Sequence, residues 1–224
     1  MTSDPGRIES ASQAFSAIYD SDHWGLATES AVDAQRKQEF AGVIADFIRQ
    51  NAVRSVAELG CGFFVFSRFI DWTGLEYDGY DVAEQVVRYN KDVYGRDNIR
   101  FHLVRDGTTM PGADLLLCKD VFQHLPNADI RYYLSGFRRS FKYMLVTNDA
   151  CPEAEANLDI PSGGWRPIRL DRPPFDQQCA VLHVWDGASF GKSWTKHTCL
   201  LLGDPGAGRA AAPFVLRDRG AETG

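Results

Sequence analysis

Residues 114–118, Asp-Leu-Leu-Leu-Cys, show no alternation of apolar and polar side chains. Successive residues of a strand point to opposite faces, so this run must be covered on both sides. A central strand of a parallel sheet, with helices packed over each face, offers that environment. The run ends abruptly in Lys119 and Asp120, and His124 follows four residues after Asp120. A core strand that stops at a charge pair, with an imidazole one helical turn later, marks its end as a place that solvent or a ligand reaches.

The flanking sequence supplies the rest of such a sheet. Residues 31–50 carry Phe40, Val43, Ile44, Phe47 and Ile48 at the spacing of one buried helix face. Residues 55–59 read as a strand running into the turn Gly60-Cys61-Gly62, and 64–72 as a helix. A second strand, 75–81, ends on Asp81; a helix over 83–95 has Gly95 as its C-cap; a third strand covers 99–104. Asn127 suits the N-cap of a helix carrying Ile130, Tyr133, Leu134, Phe137 and Phe141. A strand at 143–149, a Gly/Pro-punctuated loop at 162–175 and strands at 179–185 and 198–202 complete the chain. Five βα units followed by a strand pair predict an α/β fold, a doubly wound, Rossmann-like sheet of about seven strands. A single domain is expected over 1–203, with 1–50 as an N-terminal lid and helix and 204–224 as a Gly/Ala-rich flexible tail.

Composition narrows the partners. A length of 224 residues suits one α/β domain. The net charge of -6, with no Lys/Arg run, argues against nucleic acid. The five cysteines are odd in number and form no C-x-x-C pair, so reduced thiols in a cytoplasmic protein are expected rather than zinc or a disulfide framework. No apolar stretch approaches the roughly 20 residues that span a bilayer, and the polar, acidic first residues predict no signal peptide.

In a doubly wound sheet ligands bind outside the carboxyl ends of the strands. Gly60 and Gly62 lie at such an end, where missing Cβ atoms let backbone N–H groups approach a ligand. Asp81, about 20 residues on, ends the next strand, the position from which a carboxylate takes two ribose hydroxyls. Turn and acid together predict a nucleoside cofactor. An NAD-binding turn would carry a third glycine, but Phe63, Phe64 and Val65 stand there, and Glu58 is not part of the NAD pattern.

Glu58-x-Gly60-x-Gly62 instead resembles motif I of the class I S-adenosylmethionine-dependent methyltransferases. Asp81 and the adjoining Val82 match that family's ribose acid and its neighbour, and Asp106 matches the residue that meets the adenine. "DLLLCKD" is similar to its motif IV, and the terminal strand pair to its last two strands, of which the seventh runs antiparallel. The likeness covers about residues 40–202 and implies cofactor contacts from Glu58, Gly60, Cys61, Gly62, Asp81, Val82, Asp106 and Lys119. "HWG" at 23–25, "CKDVFQHL" at 118–125 and "GGWRPIRLDRPPF" at 163–175 further resemble bacterial sugar O-methyltransferases, of the kind that act on methylmannosides in mycobacteria. Two features depart from that pattern: "LATESAVDAQ" replaces a Ser/Gly-rich segment, and Lys119 stands where arginine is usual.

Methyl transfer to a hydroxyl requires a held acceptor and a group that takes its proton. His124 is the candidate base, with a wall residue satisfied by a backbone carbonyl as the alternative; Asp120 is the second catalytic candidate. Asp120, Asn148 and Asp149 could converge as hard oxygen ligands for Mg2+, or form a hydrogen-bonded loop end, and both readings stay open. Trp24, Trp165 and Arg166 are the candidate acceptor contacts. Cys61 and Cys118 read as small packed residues. The resulting expectation is an S-adenosylmethionine-dependent O-methyltransferase for a small polar acceptor, a sugar or oligosaccharide, with a homodimer as the candidate assembly. Its rivals are an NAD(P)-linked oxidoreductase and a non-catalytic S-adenosylmethionine-binding protein.

Overall fold

The computed structural model describes residues 31–105, 108–151, 155–189, 192–204 and 212–213. The chain forms α1 (Ala31–Gln50), β1 (Ser55–Leu59), β2 (Glu76–Asp81), α2 (Glu84–Tyr94), β3 (Ile99–Leu103), β4 (Thr109–Met110) and β5 (Ala113–Lys119). It continues with α3 (Asn127–Ser140), β6 (Phe141–Asp149), β7 (Ala180–Ser189), β8 (Lys192–Leu202) and β9 (Ala212–Pro213). Seven strands pair in the order β3-β2-β1-β5-β6-β8-β7. The first five are parallel, while β8 is antiparallel to both β6 and β7. This is the expected doubly wound sheet, with its one reversed strand set between β6 and the edge.

The three leucines explain why β5 is central. Leu115 and Leu117 pack with Phe40, Ile44 and Phe47 of α1 and with Val56 and Leu145. Leu116 and Cys118 face the other layer, with Ile130, Leu134 and Phe137 of α3 and with Met144. Truncating any such buried leucine to alanine costs about 2–5 kcal/mol. Strand order reverses between β1 and β5, so the crevice beyond their carboxyl ends is the switch point of the sheet.

Several local expectations are corrected. Residues 64–72 hold only a 3-10 turn, Ser67–Phe69, and no α-helix. Gly60, Gly62 and Phe64 all have φ between 49° and 68°, which turns the chain away from a right-handed helix. Phe64 is then buried against Trp72, Tyr77, Tyr94 and Phe101. Helices therefore connect β2 to β3 and β5 to β6 but not β1 to β2, fewer than the five βα units expected. Asn127 is not the cap of α3, which Pro126 precedes. The Asn127 N–H is met instead by Asp159 Oδ1 at 2.8 Å, and its own amide donates to Asn157 O at 2.8 Å. Gly95 does end α2, but at φ -58°; glycine is needed because a Cβ would lie 2.4 Å from Lys91 O. Within the expected tail, Ala212–Pro213 pairs with the short strand β4. Among the described residues no helix is long and apolar enough to cross a membrane.

Candidate active site

The turn after β1 is built around two bends of positive φ. Gly60 N and Cys61 N both donate to Tyr80 O, at 2.8 and 3.1 Å, tying the turn to β2. A Cβ on Gly60 would lie 2.4 Å from Val121 Cγ2, so the turn also packs directly on the segment after β5. Gly62 N donates to Asp81 Oδ2 at 2.9 Å, and Ala83 N to Asp81 Oδ1 at 3.0 Å. Burial raises the Asp81 carboxyl above its usual range, against those two N–H bonds. A third backbone N–H, that of Val82, also bonds the carboxylate, so about one of its four lone-pair sites is left for a hydroxyl. Val82 follows, half-buried. Asn90 of α2 donates to Gly62 O at 2.6 Å and fixes the second bend, a role that nothing in its helical surroundings signals.

Glu58 and Cys61 lie beneath this turn. Glu58 is 1% exposed and accepts from Ser67 Oγ at 2.7 Å and Tyr77 Oη at 2.5 Å. Burial pushes its carboxyl up to about 7, against those two bonds. Its chemistry is turned toward the loop's underside. Cys61 is buried, and burial raises its thiol well above the ordinary value, as it does for Cys118. Both are packed thiols, as expected. Asp106 and Trp24 lie outside the described residues.

The second half of the site stands on β5, β6 and β8. Asp120 follows β5 at φ 59°, a sparsely populated conformation for a residue with a side chain, held by its N–H bond to Thr147 O at 2.8 Å. Lys119 donates to Asp120 Oδ2, and its ammonium also sits 5.4 Å above the Trp185 ring. Lys196, directly opposite Asp149 in the β6–β8 register, reaches Asp120 Oδ1 at 2.6 Å and Asp149 Oδ1 at 2.7 Å. Burial would raise the Asp120 carboxyl, but the two ammonium groups outweigh it and hold Asp120 well below the carboxylate range. Burial lowers Lys196, yet the two carboxylates carry it above its usual value.

This arrangement does not fit a metal centre. The cationic position between the carboxylates belongs to Lys196, and Asn148 Oδ1 accepts Gln123 N at 3.2 Å. The magnesium reading of Asp120, Asn148 and Asp149 is corrected accordingly. Among the described residues no cluster of three His, Cys, Asp or Glu side chains could hold an ion. Lys196 was missed because its partners are 76 and 47 positions away and because it precedes the strand expected at 198–202, which the structure extends to Lys192–Leu202.

His124 closes a 3-10 turn, Phe122–His124. Its Nδ1 lies 2.8 Å from Gly164 O, which can only accept, so Nδ1 bears the proton and Nε2 the lone pair. Gln123 Nε2 lies 3.5 Å from that Nε2, and Gln123 Oε1 accepts Asp149 N at 2.9 Å. Burial lowers the His124 pKa, against the Gly164 bond and the nearby Asp120. A neutral imidazole with a basic Nε2 results.

The late loop is stitched to this turn. Gly163 N donates to His124 O at 2.9 Å and Arg166 N to Gln123 O at 3.1 Å. Arg166, expected to touch the acceptor, is 2% exposed, and this is corrected. Its guanidinium donates to Phe122 O and Leu125 O, both at 2.6 Å, to Asn127 Oδ1 at 2.9 Å and to Leu158 O at 3.2 Å. A fork of five donors suits a tight turn whose carbonyls converge, and it adds to the Leu125 N–H bond that Phe122 O already accepts. Burial lowers it to about 10. Trp165 is 47% exposed, and its indole N–H donates to Asp149 Oδ2 at 2.9 Å. An open aromatic face is thus anchored beside His124 and Asp149.

Solved structures share this architecture. The magnesium protoporphyrin IX methyltransferase ChlM of Synechocystis PCC 6803, with bound S-adenosylmethionine, superposes with a TM-score of 0.58 at 13% identity. The match covers 85% of this chain and 97% of that one. DhpI in complex with S-adenosylhomocysteine gives 0.56 at 14% identity, over 90% of this chain and 100% of that one. TehB of Haemophilus influenzae gives 0.52 at 13%, over 73% and 62%. The fold is that of S-adenosylmethionine-dependent methyltransferases. The sequence matches no family model and no curated protein.

Proposed function

We propose that the protein transfers a methyl group from S-adenosylmethionine to a hydroxyl of a small polar acceptor, a sugar or oligosaccharide. The observation that carries this reading is the glycine turn bonded to its acid. Gly62 N–H holds Asp81 at the end of β2, next to the switch point of the sheet, with a lone-pair site left for a ribose hydroxyl. The chain lacks what a dinucleotide needs, since no α-helix opens after the turn to present its N-terminus to a pyrophosphate. The cofactors in the ChlM and DhpI structures support the same choice.

When bound, S-adenosylmethionine supplies a methyl group activated on a sulfonium. The chain's part is to hold the nucleoside with Asp81 and the turn, and to position the acceptor hydroxyl. His124 Nε2 then takes the acceptor's proton, its orientation fixed by Gly164 O. The half-exposed Trp165 face suits stacking on the apolar side of a sugar ring, while Asp149 anchors the indole edge. The late-loop likeness to sugar O-methyltransferases, including those acting on methylmannosides, points to the same acceptors. A cytoplasmic setting suits five thiols, none in a disulfide.

The test is calorimetric titration with S-adenosylmethionine, S-adenosylhomocysteine and NAD, followed by labelled methyl transfer to a panel of mannosides and other sugars. Binding of the two sulfur compounds and label in a sugar ether are expected. Binding of NAD alone would refute the reading, and cofactor binding without transfer to any hydroxyl would leave a binding protein.

A further inference from the structure

The carboxylates at the ends of β5 and β6 face one another across an ammonium group. Lys196 Nζ stands 2.6 Å from Asp120 Oδ1 and 2.7 Å from Asp149 Oδ1. The outer oxygens are also engaged, Asp120 Oδ2 by Lys119 and Asp149 Oδ2 by the Trp165 indole N–H. Asn148 Oδ1, the third oxygen of the constellation, accepts Gln123 N. A divalent ion entering here and using all three side chains would have to displace the Lys196 ammonium and compete with three further donors. We propose that Lys196 is the built-in cation of the acceptor side, a positioning residue that holds the two carboxylates together in place of a metal and, through Asp149, sets the Trp165 face.

The acceptor half of this proposal rests on the methyl-transfer reading; the cation half does not. Removing the ammonium leaves two carboxylates facing one another with no shared counter-charge, which is the arrangement that recruits a hard divalent ion. The role is thus distinguishable from general support of the fold, because its loss should create a binding site.

The experiment titrates Mn2+ alone, by calorimetry and by the loss of its free-ion electron paramagnetic resonance signal. The proteins are the wild type, Lys196→Met and Lys196→Met/Asp149→Asn. The wild type should show no saturable uptake, Lys196→Met should bind one ion, and the double variant should lose it. Methyl transfer by the wild type should survive a chelator. Lys196→Met should show a raised acceptor KM with unchanged S-adenosylhomocysteine affinity, and Lys196→Arg should recover most of the loss. Saturable Mn2+ uptake by the wild type that Asp149→Asn removes overturns the proposal, as does a folded Lys196→Met that gains no ion. If Lys196→Met does not fold, Lys196→Gln takes its place, and the wild-type titration decides without any variant. Failure of the wild type to bind S-adenosylhomocysteine would instead refute methyl transfer, leaving the Mn2+ result readable.

Discussion

His124 donates its Nδ1–H to the carbonyl oxygen of Gly164 across 2.8 Å, linking the turn after the central strand to a loop 40 residues away. That bond sets the tautomer, and it makes the late loop part of the proton-accepting group. His124→Ala is expected to lower kcat by about 10²–10⁴-fold, the range for a lost general base. S-adenosylhomocysteine affinity should be unchanged by calorimetry. Burial holds the imidazole below its ordinary value, so the base remains neutral somewhat below pH ~6.5. The acid limb of the pH–kcat/KM profile should therefore fall below that pH and vanish in the variant. An unchanged kcat would leave His124 as a wall of the pocket.

Asp81 carries the cofactor end. Asp81→Ala should weaken S-adenosylhomocysteine binding more than tenfold, since the ribose loses a charged acceptor worth about 1.5–3 kcal/mol. The variant also strips Gly62 N and Ala83 N of their partner, so circular dichroism must show the sheet intact. Undiminished affinity in a folded variant would remove Asp81 from the site.

The sheet was legible because its signals are local. Leu115, Leu116 and Leu117 need two covered faces wherever they sit, and Gly60, Gly62 and Asp81 carry their spacing in the sequence. What was misread depends on contacts across the fold. Phe64 looked like a helix residue because period alone cannot reveal a positive φ. Arg166 looked like a ligand contact because an arginine beside an exposed tryptophan gives no sign of which way it turns. Lys196 was overlooked because its meaning exists only once β8 is laid antiparallel against β6.

Arg166 separates support from contact. Arg166→Met removes a guanidinium that serves Phe122 O, Leu125 O, Leu158 O and Asn127 Oδ1; Phe122 O keeps Leu125 N, but the buried Leu125 O and Asn127 Oδ1 lose their charged donor. A loss of at least about 3 kcal/mol is expected in urea unfolding. Arg166→Lys should recover little, because an ammonium lacks the fork that reaches both turn carbonyls. A variant of unchanged stability but raised acceptor KM would return Arg166 to the acceptor site.

Glu58 gives the fold a pH dependence of definite sign. Its carboxyl titrates near 4.5 when exposed and is pushed up to about 7 by burial, against the hydroxyls of Tyr77 and Ser67. Between those values the unfolded chain has released the proton while the native one keeps it. The native state then binds more protons, so this group's stabilising contribution, full below about pH 4.5, is lost as pH rises toward about 7 and does not change further above it. Asp81, also raised by burial, acts in the same sense, and His124, buried with a lowered pKa, acts with the opposite slope, so the wild-type curve mixes several groups. Glu58→Gln keeps an oxygen for Tyr77 and Ser67 and removes only the titration. Subtracting the variant's stability from that of the wild type, by urea unfolding at steps between pH 4.5 and 8, should leave a difference that falls with pH and then flattens. A difference independent of pH would mean that Glu58 is ionised in the fold throughout, with the two hydroxyls and nearby Lys119 outweighing its burial.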